Sequence, residues 1–409
     1  MIPVPEAIRI VEEQTPRLPA EAVALAEARG RVLAEDVVAD TDLPPFDRAL
    51  MDGYAMRAAD TNAATETAPA RLRIVGEAAA GRGWRGELQA GEAVRIMTGA
   101  PVPAGADSVQ QVEVTREMEG GALVEVERAT QAGQFISKRA TEIRRGSVVL
   151  QKGETINAAS LAALASFGYA RVRVGARPRV VVLATGTELV AVGAQPGADQ
   201  IRDSNTYSLL GYAEAAGASV EHLPFAGDET ELLQRVIAES AERSDVLVLS
   251  GGVSMGVYDF TKTALRSLGA EIFFERVSLR PGKPTVFARL QNARRTLVFG
   301  LPGNPVSVSV TFNLFARTAI RAMQGAKSAS LTEEHAVLGS GVKGAAERAS
   351  YLPAQLGTDD HGRLVAVPLR WSGSSDFVAF TRADALVIVE AGVKPVEAGA
   401  VVRVVRLPA

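Results

Sequence analysis

Most side chains that could do chemistry in this 409-residue sequence are carboxylates, basic groups and hydroxyls. There is no cysteine, which excludes disulfides, thiolate nucleophiles and cysteine-ligated metal centres. The three histidines, His222, His335 and His361, are scattered without ligand spacing, so we expect no histidine-based triad or metal site. Any reaction must therefore use carboxylates, Lys or Arg, hydroxyls, backbone amides or a hard ion such as Mg²⁺.

Polar side chains follow several predicted strands in the stretch 178–324, at the points where those strands end. A single acid in such a position is usually a helix cap. Several acids on one rim, beside glycine-rich turns, would repel a phosphate unless a divalent cation lay between them. The pattern indicates a phosphorylated ligand and a metal-assisted step. The residues are Thr185, Glu188, Asp203, Ser204, Asp228, the stretch Ser250 to Ser254, and Asp259.

Positive charge is concentrated in "SLRPGKPTVFAR", where Arg280 and Lys283 flank a Pro–Gly turn. Guanidinium and ammonium groups presented together suit a tetrahedral oxyanion. A solvated basic hairpin turn would explain the same residues without a ligand. The motif therefore indicates an oxyanion site with that structural alternative left open.

The stretch "VFGLPGNPVSVSVTF" breaks an apolar run at a Gly/Pro cluster. Asn304 followed by Pro305 predicts a helix start, with a side-chain cap and a pre-set φ at the first helical position. "VSVSV" alone resembles a strand, but the segment continues through "TFNLFARTAIRAM", which favours a helix. A helix N-terminus behind a glycine-rich loop favours an anion, and a tight turn without a ligand is the alternative.

Two N-terminal motifs are rich in turn-forming residues. In "PPFDRALMDGYAMR", Asp47 and Asp52 lie close in sequence to Arg48 and Arg57, which is compatible with a salt-bridged structural turn. In "RIMTGAPVPAGADSVQQVE", Thr98 follows a predicted strand, and its hydroxyl is either a ligand or only a cap. Composition does not separate these alternatives.

Three kinds of region must position these residues. In 178–324, β-branched runs such as "RPRVVVLATG" alternate with helical segments, which predicts a mostly parallel α/β sheet; the helix after it should begin at Ser204 as N-cap. Ligands of such sheets bind beyond the carboxyl ends of the strands, where the strand order reverses. The first 175 residues predict a small β-rich domain, and the tail from about 326 predicts a small β-barrel or sandwich.

The bulk composition is that of a soluble globular protein of more than one domain. Lys and Arg total 44 against 47 Asp and Glu, so no global charge points to nucleic acid or an anionic membrane. No apolar stretch approaches a membrane span, and the acidic start "MIPVPEAIRIVEEQ" is unlike a signal peptide. We therefore expect a cytoplasmic protein.

Five stretches together resemble the molybdopterin molybdenumtransferase family, the bacterial molybdenum insertases, which are similar to the E domain of gephyrin. They are "FDRALMDGYAMR", "RIMTGAPVPAGADSV", "GGVSMGVYDFTK", "LRPGKPTVFA" and "GLPGNPVSVSVTF", in family order and spacing. The resemblance covers nearly the whole chain and implies four regions. These are an elongated N-terminal domain (1–26, 43–53 and 141–173), an inserted β-rich domain (27–42 and 54–140), an α/β molybdopterin-binding domain (174–325) and a C-terminal β-barrel (326–409).

The resemblance also implies an activity. Adenylated molybdopterin would be hydrolysed in the presence of molybdate and Mg²⁺, molybdenum would enter the dithiolene, and AMP would leave with the finished cofactor. The family pattern implies a homodimer with a cleft shared between subunits. Molybdopterin adenylyltransferase and molybdoenzyme acceptors are further expected partners. The lack of cysteine fits, because the thiolates that ligate molybdenum belong to the pterin.

By motif position, the resemblance assigns roles to individual residues. The catalytic set would be Asp52, Thr98, Glu188, Asp228, Asp259 and Lys283, with Glu188 and Asp228 near Mg²⁺. Molybdate would be held by Arg280, Lys283, Pro284, Arg348 and Ser374. Pterin or its phosphate would contact strand-end residues, namely Thr185, Gly186, Asp203, Ser204, Asn205, Ser250, Gly251, Gly252 and Ser254, together with Pro302, Gly303, Asn304, Pro305 and Ser307.

The sequence departs from the family pattern at three positions. The first cation of the turn is commonly Lys in the family and is Arg280 here, which keeps the charge and changes its geometry. In "GQFISKRATEIRRG" a basic position becomes Ser137 and an expected Asp becomes Glu142. The last two changes alter the segment to which the family pattern assigns a role across subunits.

Two other functions remain open from the sequence. The chain could instead adenylylate molybdopterin, since the central region resembles that activity, but its N-terminal half and tail would then lack a purpose. It could also be a non-catalytic scaffold that binds peptides, as gephyrin does. The carboxylate rim and the Arg280/Lys283 turn argue against a pure scaffold, which needs neither.

Overall fold

The computed structural model describes residues 1–226, 230–251 and 257–408. The helices are α1 Val4–Gln14, α2 Ala158–Ser166, α3 Asn205–Ala215, α4 Thr230–Ala241, α5 Val257–Ser267, α6 Pro305–Thr311, α7 Arg317–Met323 and α8 Phe377–Phe380. The strands of the first half are β1 Ala20–Ala24, β2 Val37–Val38, β3 Arg48–Ala49, β4 Gly53–Met56, β5 Ala70–Ala78, β6 Glu92–Ile96, β7 Ser108–Gln111, β8 Thr115–Met118, β9 Leu123–Val126, β10 Ile136–Ser137, β11 Val148–Leu150 and β12 Arg171–Gly175. Those of the second half are β13 Arg179–Thr185, β14 Leu189–Val190, β15 Ile201–Arg202, β16 Ser219–Ala226, β17 Val246–Gly251, β18 Glu271–Phe274, β19 Leu279–Arg280, β20 Val286–Arg289, β21 Leu297–Leu301, β22 Glu333–Leu338, β23 Ala349–Thr358, β24 Leu364–Pro368, β25 Ala385–Val389 and β26 Val401–Arg406.

The chain divides into two compact units. The larger unit contains Met1–Glu35, Lys152–Leu161 and Arg171–Ala409, and the smaller unit contains Asp36–Gln151 and Ala162–Ala170. Within the described ranges, no helix has both the length and the apolar character needed to cross a bilayer.

The smaller unit is built on a six-stranded sheet in the order β7-β4-β6-β5-β9-β8. Its strands carry buried apolar side chains, among them Tyr54, Met56, Leu72 and Val124, which pack into one cluster. Two short antiparallel pairs, β2 with β11 and β3 with β10, complete the unit. The β-rich character predicted for this part of the chain is confirmed, whereas its division into an elongated and an inserted domain stays a prediction.

A second six-stranded sheet, in the order β16-β13-β17-β21-β20-β18, forms the centre of the larger unit. β13 pairs in parallel with both β16 and β17, and β17 pairs in parallel with β21, whereas β20 runs antiparallel to its neighbours. Its strands are buried on both faces, which explains their continuous apolar runs. The predicted mostly parallel α/β sheet is confirmed.

The strand order of this sheet reverses at β13. The next two strands of the sheet along the chain, β16 and β17, lie on opposite sides of β13. The register places Thr185 beside Gly251 and Ser250 beside Leu301. Three strands therefore end side by side, and the segments that follow them leave the same edge. This is where ligands of open α/β sheets bind.

The segment after β21 is helical, as predicted, although "VSVSV" alternates like a strand. The side chains from Val306 to Ala316 are all buried, and a π-helical turn, Phe312–Ala316, joins α6 to α7. The hydroxyl of Ser309 donates to the Pro305 carbonyl at 3.0 Å and that of Thr311 donates to the Ser307 carbonyl at 2.8 Å. Because its hydroxyls bond to the preceding turn, the helix can be buried on every side without unpaired polar groups.

The C-terminal strands close into a barrel. β23 pairs with β24, β24 with β22, β22 with β26, β26 with β25, and β25 again with β23. This ring of five strands confirms the predicted barrel over the sandwich alternative. β19 leaves the central part of the chain and pairs in parallel with β23, with Arg280 opposite Ser350.

Candidate active site

A cavity of about 1110 Å³ lies in the larger unit. It is lined by the turn 280–284, by residues at the start of α6, and by two barrel segments, 340–344 and 367–374. All the residues predicted to hold molybdate line it, together with three of those predicted to contact the pterin. They are Arg280, Lys283, Pro284, Arg348 and Ser374, and Pro302, Asn304 and Ser307.

The wall of this cavity is strongly basic. Five cationic side chains line it, and none of its described lining residues is acidic: Arg280, Lys283, Lys343, Arg348 and Arg370. None of the five forms an ion pair with a described carboxylate, whereas many other basic side chains do, such as Arg289 with Glu271 at 2.6 Å. An unneutralised cluster of this kind attracts and binds anions.

A single glycine allows the basic turn to approach α6. Gly282 has φ +115, and a β-carbon there would lie 2.4 Å from Thr311 Cγ2. The turn is held by the Thr285 hydroxyl, which donates to the Gly282 carbonyl at 2.8 Å, and by the Val277 N–H, which donates to the Lys283 carbonyl at 3.0 Å. Arg280 and Lys283 therefore project from a fixed turn, unlike cations on a solvated hairpin.

Asn304 does not cap α6 with its side chain, which corrects the sequence prediction. Its Nδ2 instead donates to the Ser374 hydroxyl at 2.7 Å, and the Val306 N–H donates to the Ser374 carbonyl at 3.0 Å. The barrel loop thus accepts hydrogen bonds from two donors at the helix start. In the anion hypothesis, donors at this position would bind the ligand. Asn304 is the N-cap residue by backbone position, and Pro305 occupies the first turn as predicted.

Asn205 connects two of the strand ends. Its Nδ2 donates to Ser250 Oγ at 3.0 Å and to the Gly303 carbonyl at 2.6 Å. Its Oδ1 and the neighbouring Thr206 hydroxyl are buried and have no hydrogen-bond partner among the residues that the structure describes. Buried polar atoms without partners are rare, so these two atoms are suited to receive a ligand or a water molecule.

Ser204 is not the side-chain cap of α3, which corrects a second prediction. The cap is Asp203, whose Oδ1 accepts a hydrogen bond from the Thr206 N–H at 3.1 Å. Asp203 therefore caps the start of α3, which is the usual role of a single acid after a strand. The adjacent strand-end side chains Thr185 and Ser250 are also buried.

Glu188 lies beside Gly186, just beyond the end of β13. A β-carbon on Gly186, whose φ is +150, would lie 2.6 Å from Glu188 Oε2. The Glu188 carboxylate is half-buried and takes part in no ion pair with a described residue. Within the described part of the chain it is therefore an available oxygen ligand of the type that Mg²⁺ prefers.

Some predicted site residues lie outside the described residues. These are Asp228, Gly252 and Ser254, and also the side chain of Asp259, whose backbone belongs to α5. Among the side chains that are described, no group of three or more His, Cys, Asp or Glu is arranged to hold a metal ion. Of the two residues predicted to hold the metal, Glu188 and Asp228, only Glu188 is among the described residues.

Asp52 and Thr98, both in the smaller unit, contact each other. The Thr98 N–H and hydroxyl donate to Asp52 Oδ1 at 2.6 Å and 2.8 Å. These bonds, the backbone one foremost, hold the pKa of the Asp52 carboxyl below its usual value. The two predicted catalytic residues thus form a hydrogen-bonded pair on an exposed turn, with the charge on the Asp52 carboxylate.

The salt bridges of the first N-terminal motif use other partners than its own arginines. Asp47 pairs with Lys138 at 2.8 Å, and Arg48 pairs with Glu142 at 2.9 Å. Ser137 lies opposite Arg48 in the β3–β10 pair. Both departures from the family pattern therefore involve Arg48, Ser137 as its partner in strand pairing and Glu142 as its ion-pair partner.

Sequence reasoning missed three residues of the cavity wall, Lys343, Arg370 and Trp371. Each lies in a short glycine- and serine-rich stretch of the tail, "GSGVKG" and "LRWSGSS". Basic and aromatic residues in such loops are a usable signal. It was overlooked because the tail was interpreted only as barrel strands.

The fold and the cavity together define a class, a multidomain α/β protein with a basic cavity and with polar side chains at the switch point of its sheet. Its sequence matches three family descriptions: "MoeA N-terminal region (domain I and II)" over residues 2–168, "Probable molybdopterin binding domain" over 181–322 and "MoeA C-terminal region (domain IV)" over 335–407.

Similar proteins point to the same family. The chain is 36% identical to a molybdopterin molybdenumtransferase of Bacillus subtilis (strain 168), covering 98% of this chain and 93% of the relative. It is 33% identical to one from Staphylococcus aureus (strain COL), covering 99% and 95%. A solved structure of a molybdopterin biosynthesis protein from Pyrococcus horikoshii OT3 aligns over 100% of both chains with a TM-score of 0.84 and 27% identity. The chain belongs to the molybdopterin molybdenumtransferase family.

Proposed function

We propose that this protein is a molybdopterin molybdenumtransferase. It transfers molybdenum from molybdate to adenylated molybdopterin in a Mg²⁺-dependent reaction that releases AMP, the last step of molybdenum cofactor biosynthesis. The observation that carries the proposal is the basic cavity, which gathers all five residues predicted to hold molybdate. The family relationship supports the same reaction.

In this proposal molybdate binds to the fixed turn and the adjacent barrel wall. Arg280 and Arg348 present planar guanidinium groups, and Lys283 adds a compact charge, which together suit a four-oxygen anion. Arg348 Nη1 also donates to the Leu279 carbonyl at 3.4 Å, at the strand that leads into the turn. Ser374 and Pro284 complete the wall. The protein therefore holds the oxyanion without supplying a covalent ligand.

The pterin substrate binds at the strand ends beside this cavity. Asn205, Ser250 and Gly303 are joined by hydrogen bonds there, and Asn205 Oδ1 and Thr206 Oγ1 have unused hydrogen-bonding capacity. Asn304 and Ser307 line the cavity itself, so the two substrates meet at the start of α6. Holding both reactants in one orientation supplies a large part of the acceleration in such a reaction. The remaining pterin contacts are Thr185, Gly186, Asp203, Ser204, Gly251, Gly252, Ser254, Pro302 and Pro305.

Glu188, together with Asp228, would hold Mg²⁺, and the half-buried carboxylate of Glu188, which pairs with no described cation, fits that role. Bound by these carboxylates, Mg²⁺ would supply neutralisation of the phosphate charge and electrophilic activation of the phosphorus. Asp259 would act next to the phosphate. Asp52 and Thr98 complete the catalytic set as an ionised carboxylate that already accepts two hydrogen bonds from Thr98.

The proposal includes a cytoplasmic homodimer whose cleft is shared between subunits. Adenylated molybdopterin would come from a molybdopterin adenylyltransferase, and the finished cofactor would pass to molybdoenzymes. Sedimentation at several protein concentrations tests the dimer. A monomer that retains full activity would refute the shared cleft.

The activity is tested by AMP release. Purified protein is incubated with adenylated molybdopterin, Mg²⁺ and molybdate, and AMP is quantified. We expect Lys283→Ala to reduce release at least about tenfold, because it removes a charged contact to the oxyanion. Arg29→Ala, an exposed arginine outside the cavity, is the matched control and should retain activity. No AMP from the parent protein would refute the proposal.

The same preparations separate the other two functions. ATP and unadenylated molybdopterin yield pyrophosphate only if the protein is an adenylyltransferase. A scaffold would bind a peptide partner and release neither product.

A further inference from the structure

The basic cavity is too large and too positive for molybdate alone. Its volume of about 1110 Å³ is of the size that accommodates an organic ligand, not a single four-oxygen ion. Five cations that share one cavity repel one another, and a doubly charged oxyanion would leave three of them without a counter-charge. The cavity wall therefore matches a second anionic group.

The unassigned cations belong to the barrel loops. Lys343 lies between β22 and β23, and Arg370 follows β24. Both loops are held in place: Val342 and Val396 exchange backbone hydrogen bonds of 2.9 Å and 3.0 Å, and the Leu369 N–H donates to the Pro353 carbonyl at 2.8 Å. These cations are therefore presented by ordered backbone.

The wall next to Arg370 continues with an aromatic side chain. Trp371 is half-buried and lines the cavity. The following loop is fixed because the Ser372 N–H donates to Asp376 Oδ2 at 2.9 Å. Apolar side chains complete this part of the wall, namely Val342, Leu352, Val367 and Leu369. A planar ring beside a cation and an apolar wall suits an aromatic ligand that carries a phosphate.

We propose that the cavity has a second subsite, formed by Lys343, Arg370 and Trp371, which adds contacts to the phosphate-bearing pterin beyond those at the strand ends, while Arg280, Lys283 and Arg348 bind the oxyanion. The inference rests on the proposed function and adds the residues that select the organic substrate. Both subsites recognise a tetrahedral oxyanion. The second is distinguished by the aromatic side chain, which molybdate cannot use.

Equilibrium binding separates the two subsites. Calorimetric dissociation constants are measured for molybdate alone and for adenylated molybdopterin alone. In the double variant Lys343→Ala/Arg370→Ala, we expect the pterin dissociation constant to rise at least about tenfold and that of molybdate to stay within about twofold, because only one ligand loses charged contacts. Arg280→Ala/Lys283→Ala should show the larger loss for molybdate.

The tryptophans allow a direct readout. The chain has two, Trp84 in the smaller unit and Trp371. A Trp84→Phe variant leaves Trp371 as the only indole, so its fluorescence reports this subsite. We expect adenylated molybdopterin to quench it in a saturable manner with the calorimetric dissociation constant, and molybdate alone to leave it unchanged. The charge-preserving variant Lys343→Arg/Arg370→Lys should retain most of the pterin affinity and shows that the fold is intact.

Three results would overturn the inference. The first is an unchanged pterin affinity in Lys343→Ala/Arg370→Ala, which leaves the proposed function standing. The second is two molybdate ions per chain, one of them lost in that variant, which would assign the subsite to a second molybdate. The third is a parent protein that binds neither ligand, which would refute the proposed function as well.

Discussion

Asn304, at the start of α6, and Ser374, in the barrel segment before α8, are joined by a 2.7 Å hydrogen bond from the amide Nδ2 to the hydroxyl. The Ser374 carbonyl also accepts the Val306 N–H at 3.0 Å. One barrel residue therefore holds both the side chain and the backbone at the helix start. Because Asn304 and Ser374 both line the cavity, this contact determines part of its shape.

Ser374→Ala should loosen that contact. The Asn304 amide would lose its acceptor, so we expect a loss of about 1 kcal/mol in the free energy of unfolding and a several-fold weaker molybdate affinity. Urea denaturation and calorimetry measure the two effects. Ser375→Ala is the matched control, because the Ser375 hydroxyl only approaches Asn304 Oδ1 at 3.4 Å. Equal effects of both variants would contradict the importance of this contact.

Thr98→Val should raise the pKa of Asp52, because it removes the hydroxyl donor and keeps the stronger backbone donor. The pKa of Asp52 in the folded protein lies below its unfolded value, so the contact stabilises the fold above that unfolded pKa. The stabilisation is lost as the pH falls through the folded pKa. NMR titration of the carboxylate measures the shift. Thr98→Ser retains the hydroxyl and should keep the parent pKa.

Asp203 and Ser204 should differ in their effect on stability. Asp203→Ala removes the acceptor for the Thr206 N–H, and we expect a loss of about 1 kcal/mol in the free energy of unfolding. Ser204→Ala removes no cap bond and should leave stability unchanged. Thermal unfolding of the two variants compares them. A larger loss for Ser204→Ala would restore the cap predicted from the sequence.

Asn205→Asp should destabilise the strand ends. The substitution replaces an amide donor with a carboxylate oxygen that faces the Gly303 carbonyl, now 2.6 Å from Nδ2. We expect a loss of about 1–3 kcal/mol in the free energy of unfolding, since two acceptors would face each other in a part-buried position. A bound ligand raises the stability of parent and variant alike by mass action, so the comparison is made without ligand, by urea denaturation. Equal stability of parent and variant would contradict that arrangement.

Gly282→Ala should displace the basic turn, because its β-carbon would lie 2.4 Å from Thr311 Cγ2 and the backbone φ is +115. We expect molybdate affinity to fall more than pterin affinity. Adding Thr311→Ser removes the methyl group and keeps the hydroxyl bond to the Ser307 carbonyl, so it should restore part of the loss. Calorimetry of both variants tests this. No recovery in the double variant would show that the φ strain alone is responsible.

The helix after β21 shows how far local patterns were reliable. Pro305 and the length of the apolar segment predicted the helix correctly, because these are features of neighbouring residues. The partner of the Asn304 side chain was not predictable, since Ser374 lies 70 residues further along the chain. From neighbouring residues alone, the Asn304 side chain was expected to cap the helix. In the structure it donates instead to a distant acceptor.

The basic turn shows the same limit. Arg280 and Lys283 were recognised because two cations flank a rigid Pro–Gly turn. Lys343 and Arg370 carry a weaker local signal, a basic residue in a glycine- and serine-rich loop, and it does not show that the barrel loops 340–344 and 367–374 line the same wall as the turn. Pairing between distant strands therefore determined that two cations absent from the predicted site also line the cavity.

The sequence by itself determined the kind of chemistry and the succession of structural elements. The absence of cysteine, the acidic strand ends, the basic turn and the alternation of strands with helices are properties of composition and of near neighbours. Only the tertiary structure decided which charges share a cavity and which polar groups are used up in holding the fold. Such pairings depend on contacts between residues far apart in the chain, and local propensity carries no information about them.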